Sequence, residues 1–112
     1  MVSTAAFAEI AALAGEPARA AMLQALMEGR ALTAGELARA AGVTPQTASG
    51  HLARMAGAGL VAVEKQGRHR YHRLASPAVA QMVEGIMQIA ATRPAPVRRL
   101  VVGPRDEALR RA

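Results

Sequence analysis

Residues 33–52 have the sequence TAGELARAAGVTPQTASGHL, which predicts two short helices joined by a tight turn. Thr33 and Glu36 match a Thr-x-x-Glu capping box, a signature of a helix N-terminus. Gly42 follows the first apolar stripe and is expected to end this helix, because glycine adopts a left-handed conformation at little cost. The Thr-Pro pair at 44–45 then supplies a cap and a first residue for the next helix. This order is typical of a helix-turn-helix.

Two strand-like segments follow the second of these helices. Residues 60–65 and 68–74 contain β-branched and aromatic side chains, and the Gln-Gly pair at 66–67 is predicted as the turn between them. A helix-turn-helix followed by a basic hairpin is the order of a winged helix-turn-helix. That fold places one helix in a DNA groove and the hairpin beside the neighbouring backbone.

Three further helices complete a predicted fold that is mainly α with one small β-hairpin. Periodic apolar residues and proline starts predict helices over about 4–14, 17–28 and 77–91. We therefore expect about five helices plus a wing in one domain, residues 1–91. Residues 92–112 begin with a proline-rich segment and are expected to form a linker and a basic tail, or the start of a C-terminal extension.

The formal net charge of +6 is concentrated in the hairpin and in the C-terminal tail. Residues 60–75 hold four cations against one acid, and residues 97–112 hold five cations against two acids. Basic charge on a hairpin tip suits contact with phosphates. Charge alone is equally compatible with a solvated surface, so the motif order has to decide between the two.

The composition excludes several classes of site and protein. There is no cysteine, so disulfides, thiolate metal sites and cysteine redox chemistry are excluded within this chain. No Ser-His-Asp set, glycine-rich phosphate loop or paired acidic motif is apparent, and we expect neither catalytic residues nor a cofactor. No apolar run approaches the roughly 18 residues of a membrane span, and the N-terminus does not resemble a signal peptide. We therefore expect a cytoplasmic protein that is not an enzyme and has no membrane partner.

The fourth predicted helix must turn one side to the core and the other outward. At about 100° per residue, Ala48, Leu52 and Met55 share the apolar side. The opposite side has small or uncharged residues that can meet base edges at little desolvation cost. Gln46 can pair bidentately with adenine, whereas Arg54 is better placed for phosphate. The predicted DNA-binding residues of this helix and its cap are Thr44, Gln46, Thr47, Ser49, Gly50, His51 and Arg54.

His51 falls on the flank of this helix, between its apolar and polar sides. One interpretation is a histidine packed against neighbouring helices, with one ring nitrogen hydrogen-bonded. The other is a contact with a phosphate or a base. The sequence leaves both interpretations open.

In the hairpin, the predicted DNA contacts are Lys65, Arg68 and Arg70, and Arg68 is expected in or beside the minor groove. Because strand side chains alternate, Arg68 and Arg70 share one face with His72, whereas His69 lies on the other. The His-x-x-His spacing therefore does not bring two ring nitrogens together. We predict no metal ligands in this chain.

The chain resembles the ArsR/SmtB family of winged-helix repressors. Residues 13–19, LAGEPAR, are similar to the family's Leu-Ala-x-Asp-Pro-x-Arg entry to its second helix. Residues 43–61 align without gaps with the family's recognition-helix block, which ends Gly-Leu-Val, and residues 66–74 resemble its Glu-Gly-Arg wing. Together these segments cover about residues 13–90.

The resemblance implies a homodimeric repressor of a double-stranded DNA operator, released by an effector and dimerising through its first and last helices. The last helix independently carries more apolar surface than one packed face needs. Because the chain lacks cysteine and its last helix has Glu84 but no histidine, we expect an unknown effector other than a thiolate-bound metal, with a small molecule as one possibility. The implied dimer interface consists of Phe7, Ile10, Val79, Met82, Val83, Ile86 and Ile89.

Two alternatives stay open. The chain could be a winged-helix protein-interaction module without specific DNA binding, in which case the apolar surfaces of the first and last helices recruit another protein. Separately, Met22, Met82 and Met87 could line an effector pocket, although core packing is the simpler explanation of methionines at such positions.

Overall fold

The structure, a computed structural model, describes residues 2–94. The elements are α1 (Thr4–Gly15), α2 (Pro17–Ala25), a 3₁₀ turn (Leu26–Glu28), α3 (Ala34–Ala41), α4 (Pro45–Gly57), β1 (Val61–Gln66), β2 (His69–Leu74) and α5 (Pro77–Thr92). The predicted five helices and hairpin are confirmed, and they form a winged helix-turn-helix. The predicted tail at 97–112 lies outside the described residues. No helix in the described part is both long enough and apolar enough to cross a membrane.

Side-chain caps fix where the helices begin. The predicted capping box of α3 is complete: Thr33 Oγ1 accepts from the Glu36 N–H at 3.2 Å, and Glu36 Oε1 accepts from the Thr33 N–H at 2.9 Å. The helix ends at Gly42, which has φ +70° as its turn requires. The residues whose side chains cap the five helices are Ser3, Glu16, Thr33, Thr44 and Ser76.

The core lies where α2, α3 and α4 pack against one another, with the start of β1 and of α5 at its edge. Burying a leucine or methionine side chain contributes about 1.5–3 kcal/mol, so a few such residues dominate the stability. Three alanines, Ala14, Ala38 and Ala48, are buried among these larger side chains. The largest fully buried side chains are Met22, Leu23, Leu26, Leu37 and Met55.

The hairpin turn differs by one residue from the prediction. Gln66 pairs with His69, so the two turn residues are Gly67 and Arg68 and not Gln66 and Gly67. Gly67 has φ +63°, in the left-handed region that glycine adopts at little cost. As a result, Arg68 lies in the turn itself, at the tip of the wing.

A third extended segment, which the sequence did not predict, joins the hairpin. Leu32 and His72 exchange both backbone hydrogen bonds, with N to O distances of 2.9 and 2.7 Å. The His72 Nδ1 also donates to the Leu32 carbonyl oxygen at 3.2 Å, because a carbonyl can only accept. With 6% of its surface exposed, His72 ties the wing to the segment before α3.

Candidate nucleic-acid interface

The outward side of α4 has the predicted polar character. Ala48 and Met55 are fully buried and Leu52 is 2% exposed, so the apolar side faces the core as expected. The exposed residues on the remaining surface of α4 include Gln46, Thr47, Ser49, Gly50, Ala53 and Arg54. The facing of the helix is therefore confirmed, and the assignment of these residues to DNA stays a prediction.

The polar side chains of α4 divide into two groups by their hydrogen bonds. Thr44 Oγ1 accepts from the Thr47 N–H at 3.1 Å and donates to Thr47 Oγ1 at 3.0 Å, so this pair is occupied with capping the helix. Within residues 2–94, Gln46 and Ser49 make no side-chain hydrogen bond. Their polar groups are free to meet an external partner.

Gly50 creates an opening in the middle of this exposed side. A Cβ atom built on Gly50 would meet nothing within 4 Å, so no neighbouring element in the described part requires glycine there. Glycine inside a helix costs about 0.5–1 kcal/mol relative to alanine. Packing within the described part of the chain therefore does not explain this glycine.

The wing brings three cations together without an acidic partner. Lys65 and Arg70 are directly paired across the hairpin, an arrangement of like charges that disfavours folding. Within the described part, neither of these residues nor Arg68 in the turn has a carboxylate oxygen within 4.0 Å. By contrast, Arg73 is paired with Glu64 at 3.0 Å. A polyanion beside the hairpin tip would relieve this repulsion.

The wing and α4 face a common groove. A cavity of about 150 Å³ separates them, and its lining includes Ser49 and Ala53 from α4 with Arg70 and His72 from the hairpin. Arg70 is exposed at this groove, whereas His72 is buried and His69 is exposed on the opposite face of the hairpin. The alternation predicted for the two histidines is thus confirmed.

His51 lies in a packed, hydrogen-bonded position. Its Nδ1 is 2.9 Å from Nη1 of Arg19, and its Nε2 is 3.9 Å from Oε1 of Glu16. This is the packed, hydrogen-bonded position of the first interpretation, while the contact of His51 with DNA stays a prediction. Sequence reasoning missed Arg19 and Glu16 as partners, and their place in the LAGEPAR segment was the one signal that could have indicated them.

A second candidate surface is formed by the exposed apolar residues of α1 and α5. Phe7, Ile86 and Ile89 are 66%, 53% and 71% exposed. Of the other residues predicted for a dimer interface, Ile10 and Met82 are half-buried, and Val79 and Val83 are buried in the chain's own core. The first three residues are thus the available part of the predicted interface.

Comparison with known sequences points to one class of protein. A family model described as a helix-turn-helix domain matches residues 14–64. The uncharacterized HTH-type transcriptional regulator YdfF of Bacillus subtilis (strain 168) is 48% identical over 83 residues, which are 74% of this chain and 37% of that protein. The chain thus spans little more than a third of the length of this relative.

Solved structures share the fold. The homodimeric winged helix-turn-helix DNA-binding domain of Mb0332 from Mycobacterium bovis, described as a possible ArsR-family transcriptional regulator, matches with a TM-score of 0.71 and 24% identity. The match covers 78% of this chain and 80% of that one. Rv0081 of M. tuberculosis matches with a TM-score of 0.70 and 28% identity over 76% of this chain and 85% of that one.

Proposed function

We propose that this chain, which is similar to helix-turn-helix transcriptional regulators and shares the winged fold of a possible ArsR-family regulator, is a homodimeric repressor of a specific operator. The observation that carries the proposal is the free polar side of α4 beside three unpaired cations of the wing. A polar surface with few charges suits base edges, and a cluster of unpaired cations suits phosphates.

In this proposal α4 is the recognition helix. Gln46 and Ser49 meet base edges in the major groove, and Gly50 lets the backbone approach closely. Arg68 enters or borders the minor groove, while Lys65 and Arg70 contact the flanking phosphates. Thr47 and Arg54 lie at the edge of the helix, within reach of the DNA backbone.

Dimerisation is supported by the apolar residues that the chain leaves exposed. Phe7, Ile86 and Ile89 lose contact with water when a second copy covers them, and each contributes about 1.5–3 kcal/mol if fully buried. A two-fold dimer places its two recognition helices in successive major grooves, about 34 Å apart on one face of the duplex. Operator symmetry would then mirror the symmetry of the protein.

Release by an effector is the regulatory part of the proposal. Since this chain has no cysteine to hold a thiolate-bound metal, a small molecule is proposed as the signal. A cavity of about 60 Å³ lies between α2 and α5, with Met82, Ile86 and Met87 in its lining. Typical ligand sites measure roughly 300–1,000 Å³, so an effector site here requires surface from the partner subunit.

The exposed apolar residues also permit a second function, a protein-interaction module that does not bind DNA specifically. The wing separates the two hypotheses, because a module that recruits only proteins has no use for like charges paired across its hairpin. A DNA-binding protein loses affinity steeply as salt increases, since each phosphate contact releases bound counterions. Absence of such a salt dependence would favour the interaction module.

The proposal is tested by selecting bound sequences from a random DNA pool at about 150 mM salt, near physiological ionic strength. We expect a palindrome whose half-sites are one helical turn, about 10–10.5 base pairs, apart. Gln46→Ala should alter the preference at one position of each half-site, at about 1–3 kcal/mol. Gln81→Ala, which removes an exposed glutamine of α5, is the matched control. Recovery of no common sequence would refute specific DNA binding.

A further inference from the structure

Arg19 is a buried guanidinium without a carboxylate partner. It is 8% exposed, and no carboxylate oxygen lies within 4.0 Å of it in the described part of the chain. Its charge attracts that of Glu16 from a greater distance, and burying a charge without a close counter-ion is costly unless its hydrogen bonds are satisfied. The hydrogen bonds of Arg19 therefore indicate its role in the structure.

These contacts join three helices. Arg19 lies in the first turn of α2, and its Nε donates to the Leu13 carbonyl oxygen at 2.6 Å, near the end of α1. Its Nη1 donates to Nδ1 of His51, in the middle of α4, at 2.9 Å. Because a guanidinium is a rigid planar fork, the two bonds fix the position of α4 relative to the other two helices.

The hydrogen bond from Arg19 also fixes the proton on His51. Arginine can only donate, so Nδ1 of His51 accepts and the proton of the neutral ring lies on Nε2. That nitrogen is 3.9 Å from Oε1 of Glu16. The Arg19 N–H donates to the same carboxylate at 2.9 Å, and this bond lowers the pKa of Glu16, so the anion faces the ring at neutral pH.

We infer that Arg19 and His51 are positioning residues for base recognition, and that His51 does not contact DNA. The inference rests on the proposed function of α4. His51 lies two residues after Ser49 on α4, so if α4 shifts when the hydrogen bond to Arg19 is lost, the residues proposed to face the bases shift with it. A hydrogen bond to a base edge weakens beyond about 3.2 Å, and a small displacement of α4 is therefore enough to lose specificity.

The hydrogen-bond geometry is tested without DNA. In the free protein at mildly alkaline pH, where an imidazole is neutral, the ¹⁵N shifts of His51 should show the Nε2–H tautomer. In Arg19→Met that preference should weaken while the tautomer of His72 stays unchanged, since His72 is held by Leu32. An Nδ1–H tautomer of His51 in the unaltered chain would overturn the inference.

The consequence for recognition is tested by a double-mutant cycle on the selected operator. Arg19→Met and His51→Leu should each weaken operator binding roughly tenfold, and the double variant should bind like either single variant. Affinity for non-specific DNA should stay within about twofold of the unaltered chain, because no phosphate contact is removed. His51→Gln retains an acceptor for Arg19 and should keep most of the specificity.

Two outcomes separate this inference from the proposed function. If the unaltered chain selects no operator, the proposed function fails, and the tautomer measurement still decides whether Arg19 holds His51. If the unaltered chain selects an operator and the effects of the two substitutions simply add, His51 acts independently of Arg19 and the positioning role is refuted. Thermal unfolding of each variant confirms that it is folded under the binding conditions.

Discussion

The helix-turn-helix and the surface formed by α1 and α5 differ in where their large apolar side chains lie. In α4, Leu52 and Met55 are 2% and 0% exposed, so this helix buries its apolar side within the chain. In α5, Ile86 and Ile89 are 53% and 71% exposed, and nothing in the described part of the chain covers them. The first region presents polar groups to solvent, whereas the second presents apolar side chains.

The difference indicates two kinds of partner. A duplex offers phosphates and base edges, so a helix that meets it has to bury its apolar side beforehand and expose polar groups. A second copy of the chain offers an identical apolar face, so α1 and α5 can leave part of their burial to assembly. If this is correct, substitutions in the two regions affect different measurements.

The largest effect should come from the core beneath the recognition helix. Met55→Ala should lower the free energy of unfolding by about 2–5 kcal/mol, because it leaves a cavity in a fully buried site. Ile89→Ala should change it by less than about 0.5 kcal/mol when the chain is dilute enough to be monomeric. Urea unfolding measures both values, and similar losses in the two variants would contradict the comparison.

The second effect concerns assembly and not folding. Ile89→Asp should convert the dimer to monomers, because it puts a charge where about 1.5–3 kcal/mol of apolar burial per subunit is expected. Far-UV circular dichroism should be unchanged, since the side chain is largely exposed within one chain. Sedimentation velocity gives the oligomeric state.

Val63→Asp is the matched control for this change. Val63 is also apolar and 45% exposed, but it lies in the hairpin. The control should remain dimeric under the conditions that dissociate Ile89→Asp. Retention of the dimer by Ile89→Asp would show that this face is not the interface.

The helix-turn-helix was predictable because its determinants are local. The Thr33 capping box and the left-handed Gly42 act within a few residues of where they stand, and both were found as expected. The facing of α4 followed from helical periodicity alone. Short-range signals of this kind are visible in a single sequence.

The contacts that the sequence did not reveal are long-range. Arg19 and His51 are 32 residues apart, and Leu32 and His72 are 40 apart, so no local pattern links them. The predicted turn began one residue too early, because glycine fits either of two adjacent turn positions. The pairing of β1 with β2 chooses between them, and that choice depends on the whole hairpin.

Substitutions in the wing should have a smaller effect than those in either apolar region, and the effect should be confined to DNA affinity. Arg68→Ala should weaken binding to all DNA sequences and reduce the slope of log affinity against log salt by about 0.9, because a cation in or beside the minor groove also neutralises about one phosphate charge. Arg73→Ala should leave the slope nearly unchanged, because Arg73 is already paired with Glu64. Equal changes in the two slopes would show that the hairpin acts through its total charge.

The smallest effect should come from a substitution in the cap of α3, which the sequence predicted from its capping box. The Thr33 N–H donates to the Glu36 carboxylate, and this lowers the pKa of Glu36 from the usual 4.5. A carboxylate with a lowered pKa stabilises the fold above that usual value, and its contribution is lost as the pH falls through the lower folded value. Glu36→Gln keeps an acceptor but not the charge, so it should lower the melting temperature slightly at pH 7, and this difference should disappear as the pH falls through the folded pKa of Glu36.

Thr33→Ser is the control for this change, because it keeps the capping hydroxyl and should retain the pH dependence of the unaltered chain. Melting curves between neutral and acidic pH compare the three proteins. Because the cap acts on α3 alone, Glu36→Gln should leave the oligomeric state unchanged, unlike Ile89→Asp. A constant difference in melting temperature at every pH would mean that Glu36 acts through its shape and not its charge. The stability of the helix-turn-helix would then depend on packing rather than on its terminal electrostatics.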